Sequence, residues 1–308
     1  MNAHAPSTPA GSTPRSRQIP GEVRERVLRA ASTLGALGGG ATSAPKLLGT
    51  LCSQTTTARD ISQLLGREPA LTARVLRIAN SPFYGRSRTV SSVEKAIVLL
   101  GLDSIRGIVA AACLDRFAAQ PASSVGINTL DVVAHCLATA AAADALSAHL
   151  PRGSTNDAFL AGLLHNLGVF VQLRLDGDRM TRVADACARN PSMSIREIEH
   201  GAGIVTHEEC FAILADAWQL PAPIALAGAH HHKPSEAPLE HRTVVAVAGL
   251  AARLAVSAGF RHAVDPRHAS PPSEFLQLLE VETDMLDETC KLIPEMVRAL
   301  GGALPAGY

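Results

Sequence analysis

The residues of this chain best suited to do chemistry are histidines, and their spacing suggests a nitrogen-donor cluster. His165 lies in the stretch 156–170, where Leu160, Leu163, Leu164 and Leu167 recur at helical spacing. The pattern predicts one buried helix, started by Asn156 or Asp157, that carries His165 and Asn166 into an apolar face. A single imidazole in such a place is most simply a hydrogen-bonded core group. His165 has company, however. His135 lies 30 residues upstream, His207 lies 42 downstream, and His230, His231 and His232 follow. Imidazoles brought together from separate helices suit a divalent transition metal, because neutral ring nitrogen is a good ligand for such ions.

The elements that must position these side chains are helices. Hydrophobic residues make up 47% of the 308 residues and aromatics only 3%, a mix that suits close helix packing better than a β-sandwich. Lys plus Arg and Asp plus Glu are both 28, so the net charge is zero and no basic footprint of a nucleic-acid binder is present. The 6 cysteines are scattered without Cys-x-x-Cys spacing and read as reduced core residues. The N-terminus is polar and Pro-rich, unlike a signal peptide. Charge breaks the longest apolar runs, as Arg253 does within 244–260, so no membrane span is expected and the expected location is the cytoplasm.

Taken in order, residues 1–20 are rich in Ser, Thr, Pro and Ala and read as a disordered leader. Residues 21–120 read as an N-terminal bundle of five or six short helices. Thr57-Ala-Arg-Asp60 has capping-box spacing, Pro69 opens a helix over 68–80, Ser91 or Ser92 caps the next, and Gly101 stops it. The stretch 118–127 is the candidate boundary, with a second helical unit over 127–300. Thr206 reads as a helix cap ahead of His207, and the run His230–Lys233 as the cationic end of a helix before Pro234.

Two groups of motifs resemble one family. Arg74-Val-Leu-Arg-Ile-Ala-Asn-Ser-Pro-Phe-Tyr-Gly85, followed by Val93-Glu-Lys-Ala-Ile-Val-Leu-Leu-Gly101, resembles the first half of HDOD domains, bacterial relatives of the HD phosphohydrolases. Gly162-Leu-Leu-His-Asn-Leu-Gly168, Trp218-Gln-Leu-Pro221 and His231-His-Lys-Pro234 resemble the second half, so the likeness covers about residues 25–300. It implies an all-α fold, with an N-terminal helical bundle packed on an HD-like helical core.

The resemblance also implies a ligand set. His135 matches the first His of active HD enzymes and His165 the second, with His207 and one of His230 or His231 at the later imidazoles. Asn166 stands where the His-Asp pair has its Asp, and the late Asp falls near Gly249. An amide oxygen is neutral and glycine offers nothing, so the charged bridge of a two-metal hydrolase is missing. Three readings of the histidines stay open: a hydrogen-bonded remnant, a single divalent transition metal on imidazoles, and a pocket for another ligand. The expected function is a non-catalytic signalling or regulatory module in a bacterial cytoplasm, acting on a separate signalling protein of cyclic-di-nucleotide or chemotaxis type, with no nucleic acid and no membrane. The alternative is a metal-dependent HD-type phosphohydrolase acting on nucleotides or cyclic dinucleotides. It requires a carboxylate near the imidazoles, for which Asp157 and Glu209 are the nearest candidates.

Overall fold

The computed structural model describes residues 19–35, 43–81, 90–118, 126–150, 155–264 and 273–301, and every regular element among them is helical. Six helices form the first part: α1 (Gly21–Gly35), α2 (Ala44–Cys52), α3 (Ala58–Gly66), α4 (Pro69–Ala79), α5 (Val93–Leu100) and α6 (Leu102–Ala118). The expected caps are in place. Thr57 and Asp60 close a capping box, Ser92 accepts from the Lys95 amide, and Gly101 ends α5 at φ +84°. Asn80 is a clamp: its amide donates to the carbonyls of Leu76 and Val90 and accepts from the Val90 amide, which ties together the two ends of the loop after α4. Residues 1–18 of the leader, the Gly38–Gly40 run, Tyr84, Gly85, Arg86 and Arg88, and residues 119–125 of the candidate boundary lie outside the described residues.

The second part comprises α7 (Thr129–Ala148), α8 (Thr155–Leu164), α9 (Leu167–Arg189), α10 (Ile195–Gly201), α11 (His207–Ala217), α12 (Ala222–His230), α13 (Arg242–Ser257), α14 (Ser273–Leu279) and α15 (Thr283–Gly301). Helix α7 is the central rod, packed along α8, α13 and α15. Its inner faces are mostly alanine, and Ala138 and Ala140–Ala143 are fully buried. Small side chains let neighbouring backbones come close. A Cβ on Gly162 of α8 would sit 2.9 Å from the Thr139 carbonyl oxygen of α7.

Two expectations change. The stretch 156–170 is not one helix: α8 stops at Leu164 and α9 starts at Leu167, with His165 and Asn166 at the turn between them. Helix α1 packs on α9 and α11 rather than mainly within the first bundle. The two parts share one hydrophobic cluster, and Phe117 at the end of α6 sits between Phe170 and Trp218 at centroid distances of 6.1 and 6.3 Å. Two stretches, Thr129–Ala148 and Asp157–Arg189, are long and apolar enough to span a membrane, contrary to the expectation from charge-broken runs. Their apolar windows are 72% and 83% buried inside the protein, as core helices are.

Glycine is required where α9 meets α11. A Cβ on Gly168 would lie 1.8 Å from the His207 carbonyl oxygen, so any larger residue pushes the start of α11 away from the His165 turn. Gly168→Ala is expected to destabilise the protein by about 2 kcal/mol or more, as overpacking of a dense core does. Urea unfolding monitored by circular dichroism would check this, and an unchanged midpoint would refute it.

Candidate functional site

Five buried imidazoles and the half-buried His232 form a row in the second part of the chain. His262 lies 4.7 Å from His135, His135 lies 5.3 Å from His165, and His165 lies 4.9 Å from His231, all centroid to centroid. His231 then meets His207 at 5.2 Å and His232 at 4.2 Å. The row lines a cavity of about 230 Å³ together with Asn166, Ser192, Ser194, Gly249 and Arg253.

Each ring is aimed by the backbone around it. His135 rides on α7, and its Nδ1 donates to the Phe260 carbonyl at 2.9 Å. His165 Nδ1 donates to the Gly162 carbonyl at 2.6 Å, a bond made possible by the end of α8. His231 caps α12, and its Nδ1 donates to the Gly228 carbonyl at 3.1 Å. His207 is the first residue of α11, set by the capping box of Thr206 and Glu209. Its Nδ1 donates to both oxygens of buried Glu199, at 2.9 and 3.0 Å, and Glu199 is held in turn by Gln172 at 2.7 Å. These partners fix the Nδ1–H tautomer in all four rings and make each Nε2 an acceptor.

Such second-layer acceptors are what orient metal-ligating histidines. His207 Nε2 lies 3.4 Å from His231 Nε2 and 3.1 Å from His232 Nε2, and the three donors all fall within 4.8 Å of one another. Two acceptor nitrogens facing each other at 3.4 Å repel unless a cation or proton lies between them. Tetrahedral zinc with bonds of about 2.0–2.1 Å separates its nitrogen ligands by about 3.3 Å, close to these spacings. The donor set His207, His231 and His232 therefore fits a divalent transition metal, which would supply Lewis-acid chemistry when bound. His165 Nε2 is also buried with no hydrogen-bond partner.

Of the residues singled out by sequence, His135, His165, His207 and His231 come together here, and Asn166 with them. His230 does not: its Nδ1 faces Glu236 at 3.8 Å, away from the cavity lining. Sequence reasoning passed over His232 as a ligand, although it adjoins His231, because a helix end explains a cationic run equally well. It also missed Glu199, which sits eight residues before His207 and one helix away, and His262. Gly259 turns the chain after α13 at φ +99°, which brings His262 Nε2 to 3.2 Å from the Asn166 amide. The carboxylates weighed as ligands are used elsewhere. Asp157 accepts from Gln54 at 2.5 Å, and Glu209 closes its capping box. Gly249 is more than a missing Asp: a Cβ there would lie 2.1 Å from the His231 carbonyl oxygen.

Burial, followed by repulsion from neighbouring imidazoles, holds His165, His231, His232 and His262 well below the usual histidine range, so all four are neutral at pH 7. The unfolded chain binds protons at these four rings as pH falls below their ordinary value of 6.5, and the folded chain does not. Stability of the metal-free protein is therefore expected to be flat above neutrality and to fall below pH 6.5, by up to about 1.4 kcal/mol per pH unit for each ring. Urea unfolding of chelator-treated protein between pH 5 and 8 would check it, and stability that rises on acidification would contradict it.

Comparison with known proteins identifies the architecture. A family model described as the HDOD domain matches residues 41–234. An uncharacterized protein of Treponema pallidum (strain Nichols) is 26% identical over 204 residues, which is 62% of this chain and 37% of that protein, so the match spans little more than a third of the relative. An HDOD domain protein of unknown function from Geobacter sulfurreducens superposes with a TM-score of 0.68 at 23% identity, covering 92% of this chain and 99% of that one. A Marinobacter aquaeolei VT8 protein with a provisional signal-transduction name gives 0.70 at 20%, covering 94% and 69%. A Shewanella amazonensis SB2B protein with a provisional phosphohydrolase name gives 0.65 at 21%, covering 89% and 98%. The family model spans more than half of the chain and the helical fold accords with it: this chain belongs to the HDOD family.

Proposed function

We propose that this chain is a non-hydrolytic regulatory module of bacterial signalling, which acts through contact with a separate protein. Its three-histidine centre holds one divalent transition metal in a structural role. The fold-level likenesses do not choose between signalling and hydrolysis, since the relatives carry names of both kinds. The donor set supports a choice: among the described residues that line the cavity, none is Asp or Glu.

That absence matters chemically. Two-metal phosphoester hydrolysis uses charged oxygens to bridge the ions and to lower the pKa of bound water. Here the amide of Asn166 is engaged with His262, and the late carboxylate position is closed by the His231 carbonyl against Gly249. Glu199 stands behind His207 and orients it instead of facing the cavity. Imidazoles without a carboxylate favour zinc, nickel, cobalt or iron over magnesium.

Elemental analysis of tag-free protein should find close to one equivalent of such a metal per chain, lost in His231→Ala. Glu199→Gln is expected to weaken that metal by about 10- to 100-fold in a chelator competition, because a carboxamide supports His207 less well. Metal-free protein at purification that also fails to bind added zinc would leave the row as a hydrogen-bonded remnant. Wild-type protein supplied with zinc, nickel or manganese should hydrolyse bis(p-nitrophenyl) phosphate and cyclic dinucleotides no faster than the metal alone. Asn166→Asp should not gain turnover, since position 249 has no room for the second carboxylate. Turnover by the wild type that disappears in His165→Ala would overturn this reading in favour of a phosphohydrolase.

A further inference from the structure

A second cleft lies apart from the histidine row, between the start of α6, Asp144 of α7, Phe159 of α8 and the end of α15. Its volume, about 370 Å³, exceeds that of the histidine cavity. The packing that makes it is specific: Phe159 lies flat where Gly107 has no side chain, and a Cβ there would come within 2.7 Å of the ring. Leu100, Met296 and Leu300 give the cleft apolar walls.

Exposed apolar side chains flank those walls on the same helices. Leu99, directly before Leu100 on α5, is 40% exposed, and Leu292, one turn before Met296 on α15, is 47% exposed. Large apolar groups left in water beside a concave site are a mark of protein contact.

Three charged side chains line the cleft, and two of them are paired. The Arg106 guanidinium is committed to the carbonyls of Leu51 (2.6 Å) and Ser53 (2.9 Å) and to Asp103. Asp144 is partly buried, burial raises the pKa of its carboxyl, and among the described residues no cation or donor pairs with it. We propose that this cleft is a docking site for a partner protein segment that places a Lys or Arg against Asp144 and apolar side chains over Leu99 and Leu292. A cation entering there gains a charge-assisted hydrogen bond in a poorly hydrated place, while the flanking apolar residues cover the exposed rim.

The inference rests on the reading that the chain works through a partner, but the two fail separately: phosphodiester turnover would sink that reading without touching this one. The test is selection from a random-peptide display library on the intact full-length protein, followed by anisotropy titration of the enriched peptides. Enriched sequences should carry Lys or Arg within a few residues of apolar side chains. Asp144→Asn should weaken them about tenfold, and so should Lys→Gln in the peptide, with no further loss when the two are combined. Leu99→Glu and Leu292→Glu change exposed positions, so their folding can be matched to wild type by thermal melting, and both should also abolish capture. Recovery of no binder, of binders without a cation, or of binders indifferent to Asp144→Asn would overturn the assignment. So would concentration-dependent self-association of the wild type that Leu292→Glu abolishes, since the occupant would then be a second copy of the chain.

Discussion

Burying an imidazole costs little only while it stays neutral and its N–H has an acceptor, and the second half of this protein is arranged around meeting that condition repeatedly. Carbonyls of Phe260, Gly162 and Gly228 and the carboxylate of Glu199 each accept from one ring. Three of these acceptors exist because a helix ends or the chain turns beside the histidine. A continuous α8–α9 helix would move both His165 and Asn166 away from the row. The break at that turn is therefore what joins the helical scaffold to its chemistry.

Close backbone approach makes the arrangement dense enough to hold. Alanines along α7 and glycines at 162, 168, 228 and 249 stand where a side chain would strike a neighbouring carbonyl or ring. The same device decides what the site lacks. Position 249 is filled by main chain from the His231 region, so the missing carboxylate reflects packing as much as a change of letter. A donor-rich, carboxylate-poor cavity can hold a soft divalent ion firmly, yet it offers little to activate water for attack on phosphorus.

Regulatory action through a partner fits a protein whose open surface features lie away from that centre. The histidine cavity is the smaller of the two and opens beside Pro191, Ser192 and Ser194. The α6–α15 cleft is larger and carries an exposed apolar rim. Metal and partner sites would share α7, which bears His135 near one end and Asp144 two and a half turns later, so a rigid element runs from one to the other.

Helical class, most helix ends and the family were legible in the amino-acid order, because they rest on local rules. Leucine spacing, the Thr57, Ser92 and Thr206 caps, Pro69 and Gly101 all act within a turn or two of chain. Four of the six imidazoles were legible as well, through motifs that carry them in order. The remainder was set by distances between residues far apart in sequence. His262 meets Asn166 across 96 positions, and Glu199 reaches His207 from a separate helix. His230 and His231 differ by one residue and about 100° of helical turn, so only the packing of α12 against α8 and α13 selects which of them faces the row. Local propensity places a ring on a helix, and long-range packing decides what it faces.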